Sequence, residues 1–123
     1  MIRASRRSVM AGALAVPAAA HAARLRFART SAPVLLHDPA LQAGRRFAEA
    51  GKAAGARVLV IEGDRIRFAR AVFAARPAYV QGVSRQADAV LIEDVAREFG
   101  YRHEALRASG PVLEWRLVPS FSR

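Results

Sequence analysis

Arg57-Val58-Leu59-Val60-Ile61, followed at once by Glu62-Gly63-Asp64, is the most strand-like run in the chain. It is continuously apolar and rich in β-branched residues, as a strand covered on both faces should be. On that reading it lies in the middle of a parallel sheet, and an aspartate at Val60 prevents folding. Upstream, Val34-Leu35-Leu36 is a second short apolar run, ending in His37-Asp38-Pro39. Asp before Pro predicts a helix start, with aspartate as the cap and proline at the first helical position. The helix that follows sets Leu41, Gly44, Phe47, Ala48, Gly51 and Ala54 on one face and stops at Gly55. Downstream, Asp64 caps a second helix with Ile66, Ala69, Val72 and Phe73 inward, ended by Pro77. Ala78–Val83 is a third strand. Ser84 opens a third helix with Leu91, Ile92, Val95 and Phe99 inward and Gly100 at its end.

The chain then changes pattern. Tyr101–Arg107 and Val112–Val118 read as two short strands joined by Ala108-Ser-Gly-Pro111. Leu113, Trp115 and Leu117 share one face while Glu114 and Arg116 point away, the alternation of a half-exposed antiparallel strand at a sheet edge. Three strand–helix alternations imply a parallel-rich sheet with right-handed crossovers. The expected fold is therefore α/β: a small three-layer arrangement, β-α-β-α-β-α-β-β, with strand order 2-1-3-4-5 by analogy with flavodoxin-like folds. The domain is bounded at residues 34–119, with 23–33 a linker or edge segment and 120–123 a tail.

Composition limits the chemistry. The 123 residues suit one domain, and 53% are hydrophobic, which argues against disorder. Alanine supplies 28 of these, so the core formers suffice for only one small core. No cysteine is present, which excludes disulfides, iron–sulfur clusters, c-type haem attachment and a thiol nucleophile.

The first residues read as an address. Arg3, Arg6 and Arg7 form a basic start without an acid, Val9–Ala20 is an uncharged apolar stretch, and Ala20-His21-Ala22 is a small-x-small cleavage site. The stretch is too short to span a bilayer, which takes about 20 residues. Ser5-Arg6-Arg7-Ser8-Val9-Met10 resembles the twin-arginine export signal, with valine where that family most often has phenylalanine. The resemblance covers only this segment. It implies a partner in the export machinery, a periplasmic location, and cleavage between Ala22 and Ala23 after a signal spanning residues 1–22. The cleaved chain keeps 17 basic and ten acidic residues, a net charge of +7. Outside the inner membrane such an excess points to an acidic protein or a small anion rather than nucleic acid. A monomer with no membrane span is expected.

Candidate site residues gather at the carboxyl edge of the sheet, where open α/β folds bind ligands. His37 and Asp38, Asp64, and Ser84 are the residues an enzyme would use there. Ser84 lacks the glycine two residues on that a nucleophile elbow requires, because Gln86 stands in that place. His37 and His103 fall short of the three or four ligands of a metal centre, so no metal is expected. The phosphate-binding loops of nucleotide and dinucleotide enzymes are absent, and no cofactor is expected. Asp94 and Glu98, beside Arg97, fit a solvated helix face. Arg65 and Arg85 each follow an expected helix cap, where the helix dipole favours an anion over a cation. Together with the helix N–H groups they could hold a phosphate, sulfate or carboxylate; the alternative is two solvated arginines leaning over Asp64 and Asp88. The expectation is an exported binding or accessory module acting through its surface or this small-anion crevice; the alternative is a small periplasmic enzyme, a hydrolase working at the same edge.

Overall fold

A computed structural model describes residues 32–120; the expected signal segment, its expected cleavage site and the last three residues lie outside the described residues. The elements are β1 (Val34–His37), α1 (Gln42–Ala53), β2 (Arg57–Val60), α2 (Arg65–Ala74), β3 (Val80–Arg85), α3 (Gln86–Glu98), β4 (Tyr101–Ser109) and β5 (Val112–Pro119). Among the described residues they form a mixed α/β fold with a five-stranded sheet and three helices. The sheet runs β2-β1-β3-β5-β4. β1 is parallel to both β2 and β3, whereas β5 is antiparallel to β3 and β4.

The expected order 2-1-3-4-5 is thus correct for its first three strands and reversed in its last two. The hairpin turn at Gly110, with φ of 61°, folds β5 back between β3 and β4. Burial explains the choice. β5 carries Trp115 and Leu117, exposed by only 2% and 1%, while every residue of β4 from Glu104 onward is exposed. Putting β5 inside buries more apolar surface than putting β4 there.

The same logic corrects the reading of β2. It is an outer strand, with Arg57 and Val60 exposed, and the strands whose residues are buried on both faces are β1 and β3. Register assigns the faces. Val34 and Leu36 pair with Val80 and Gly82, and these with Leu117 and Trp115. This face meets Ala69, Val72 and Phe73 of α2 and Ala89, Ile92, Val95 and Ala96 of α3 in one core. Ile66 and Leu91, expected inward, are exposed instead. On the opposite face Gly51 of α1 lies against Leu35 and Val58 so closely that a β-carbon would come within 2.5 Å of Leu35. Two of the expected helix starts also move. Asp38-Pro39 forms a turn, closed by Leu41 N–H donating to the Asp38 carbonyl at 3.1 Å, and α1 begins only at Gln42. Ser84 belongs to β3, so α3 begins two residues after it.

Candidate functional site

The carboxyl ends of the three parallel strands are held level by main-chain bonds. Ile61 N–H donates to the His37 carbonyl at 2.8 Å, and Asp38 N–H donates to the Val83 carbonyl at 3.0 Å. Asp38 is buried, and its carboxylate accepts from Ala40 N–H at 2.9 Å. Gly44 of α1 presses on the Asp38 carbonyl, which a β-carbon would approach to 2.5 Å. Asp64 caps α2 as the sequence implies, accepting from Ile66 N–H at 2.9 Å and Arg67 N–H at 3.1 Å. The Arg67 N–H above all holds its carboxyl below the ordinary aspartate range, and the Ile66 N–H adds to this.

The two arginines differ in their surroundings. Arg65 grips Asp88 from two of its three nitrogens, Nε to Oδ1 at 2.8 Å and Nη2 to Oδ2 at 3.4 Å, and its Nη1 donates to the Gly63 carbonyl at 2.7 Å. The bond to Asp88 raises its pKa. Arg85 sits at the amino end of α3, a helix that no side chain caps. Its nearest carboxylate oxygen, Oδ2 of Asp38, is 3.8 Å from Nε, and its side chain is 57% exposed.

Ser84 is fully buried. Its Oγ accepts from the Trp115 indole N–H at 3.0 Å and donates to the Arg85 carbonyl at 3.0 Å, so both functions of the hydroxyl are occupied. His37 pairs in register with Val83, the neighbour of Ser84. Successive strand residues point to opposite faces, so His37 and Ser84 are separated by the sheet. His37 is itself buried, and its Nδ1 has no hydrogen-bond partner among the described residues. His103 is far from both; its Nε2 lies 3.1 Å from Glu93 of α3. Arg97 holds Glu93 and Asp94 at 2.8 and 3.0 Å, and Arg70 meets Glu98 at 3.0 Å, all on the outer side of the helices.

No known family, curated protein or solved structure matches this chain.

What the carboxyl edge brings together is therefore Asp38, Arg65, Arg85 and Asp88, with Asp64 capping the adjacent helix. Among the described residues no three metal-ligating side chains converge. No described helix is long and apolar enough to cross a membrane. Sequence reading missed an open groove of about 650 Å³ beside this edge, between α1 and the β4–β5 hairpin. Phe47, Val83 and Val112 line it, with Arg46, Arg107 and Glu114 around them. Its lining joins α1, the end of β3 and the β4–β5 hairpin, a juxtaposition that no local signal fixes.

Proposed function

We propose that the chain is an exported binding module that takes a small anion at the carboxyl edge of its parallel strands. The observation that carries this reading is the setting of Arg85: an exposed guanidinium at an uncapped helix start, loosely held by its nearest carboxylate. Helix N–H groups and the helix dipole favour an anion at that position. Asp88, in the first turn of α3, would oppose an anion, but Arg65 neutralises it at hydrogen-bond distance. In this reading Arg65 prepares the site and Arg85 contacts the ligand. Binding is favoured over hydrolysis because Ser84 is enclosed by Trp115 and faces away from His37. Export rests on Arg6-Arg7 and the Ala20-His21-Ala22 site in the sequence.

Calorimetric titration with phosphate, sulfate and acetate at low ionic strength tests the binding half. Binding by the wild type that falls at least tenfold in folded Arg85→Ala supports the site. Equal binding by both proteins, or none by either, refutes it. Ester hydrolysis abolished by Ser84→Ala would establish the enzymatic alternative instead. For export, mass spectrometry of the protein from cells should find an amino terminus at Ala23, and an intact Met1 on the soluble protein would contradict it.

A further inference from the structure

With β5 inside the sheet, β4 becomes the outer strand, and its outer row of N–H and C=O groups has no strand beside it among the described residues. β4 is also the longest strand, at nine residues. Unpaired strand edges are templates for a further strand. Leu106, near the middle of the exposed part, is the most open of the large apolar side chains at 59%. Opposite it on β5 is Trp115, so Leu106 lies on the face that carries α2 and α3.

A bulge sets the charges. His103 opposes Leu117 and Ala105 opposes Arg116, so Glu104 is the extra residue. Its carboxylate reaches Arg116 at 3.5 Å, which places it on the same face as Ala105 and Arg107. Arg107, 78% exposed, touches Glu114 at 2.9 Å and has its outer side open.

We propose that β4 pairs antiparallel with β4 of a second copy about a twofold axis at Leu106, joining the two sheets into one. In this register Leu106 meets Leu106 of the second copy, and Ala105 meets Arg107 of the second copy. Glu104, beside Ala105 on that face, then comes next to the same arginine, and symmetry gives the contact twice. The neighbouring registers are worse. Centring on Arg107 sets two arginines directly opposite each other, and like charges directly opposite are destabilising; centring on Ala105 sets the apolar Leu106 against the carboxylate-bearing Glu104. A shift of one residue opposes side chains from different faces. Pairing of about five residues per copy falls at the small end of protein interfaces, so the dimer is concentration-dependent.

The absence of cysteine makes a direct test available. Antiparallel partners have Cα atoms about 4.5–5.5 Å apart, within the reach of a disulfide. Mild oxidation of Leu106→Cys in the full chain should therefore give a covalent dimer. Ala108→Cys, whose Cα lies about 14 Å from its own symmetry mate, should not. Light scattering of the wild type should show mass rising to twice the monomer value with concentration. Leu106→Arg should stay monomeric and melt as dilute, monomeric wild type does, since the side chain is exposed. The proposal is overturned by any of three results: wild type that remains monomeric throughout, equal cross-linking at the two cysteine positions, or open-ended oligomers in place of dimers.

Discussion

Gly82→Ala is the substitution for which the structure gives the clearest magnitude. A β-carbon at Gly82 would lie 2.2 Å from Cζ2 and 2.4 Å from Cη2 of Trp115. Carbon atoms pack comfortably at about 3.5–4.0 Å, so the indole must move by about 1.5 Å or the strands must part. Neither is easy. Trp115 is 2% exposed, and its N–H is fixed to Ser84 at 3.0 Å. Overpacking of this kind costs about 1–3 kcal/mol. Pulling the indole N–H from its buried acceptor adds about 1–3 kcal/mol. The expected loss is about 2–6 kcal/mol, a large share of a total near 5–15. Trp115 is the only tryptophan, so its fluorescence during urea unfolding reports on this contact directly. A double-mutant cycle sharpens the test: in a Trp115→Leu background the added methyl should cost at least about 1 kcal/mol less, because the clashing ring is gone. Unchanged unfolding of Gly82→Ala would refute the packing of β5 on β3, and additive effects in the cycle would refute the assignment of the clash to Trp115.

Ser84→Ala should lower stability by about 1–3 kcal/mol in chemical denaturation, because it strands the Trp115 N–H in the core. Leu36→Asp should abolish the cooperative transition, whereas Val60→Asp should stay soluble and melt cooperatively; far-UV circular dichroism on heating separates the two. Asp64 should contribute stability that is fully present above the ordinary aspartate value of 3.8 and is lost as pH falls through its lower folded-state value. Melting temperatures measured down the acid range should therefore fall less for Asp64→Ala than for the wild type.

The order of elements was legible because each rests on local signals. Asp64 does cap α2, and Gly55 and Gly100, with φ of 80° and 84°, end α1 and α3 as their sequence positions imply. The alternation Leu113-Trp115-Leu117 identified which side chains of β5 face the core. What it could not identify was the neighbouring strand, since orders with β5 inside or outside satisfy the same alternation. That choice depends on comparing the burial of two whole strands, a nonlocal quantity. The errors at β2 and Ser84 have the same origin. Val58-Leu59-Val60 is apolar enough for a central strand yet stands at the edge, and Ser84 looks like a helix cap until Trp115 is placed over it. At the site, the residues that converge were legible from the strand-end rule, and so was Asp88 as a carboxylate for one of the arginines to lean over; that Arg85 faces Asp38 was not, because it depends on how the end of β1 sits beside α3.

Those pairings yield the last prediction. Asp38, Asp88, Arg65 and Arg85 sum to zero charge, so the carboxyl edge attracts an anion through local geometry rather than through a long-range field. The carboxylate of Asp38 then works against the ligand, at 3.8 Å from the guanidinium that would bind it. Asp38→Asn removes that charge and keeps an oxygen to accept from Ala40 N–H, so the turn into α1 should survive. Arg85 is more than half exposed, so the solvent-screened end of the Coulomb range applies, about 1 kcal/mol at 4 Å, or roughly fivefold in affinity. Phosphate should therefore bind Asp38→Asn roughly fivefold more tightly than wild type at low salt. The advantage should shrink as ionic strength rises. Arg85→Ala in the same background should abolish the gain. If Asp38→Asn binds anions no better than wild type while folding normally, the ligand does not sit beside Arg85, and the carboxyl edge is not the anion site.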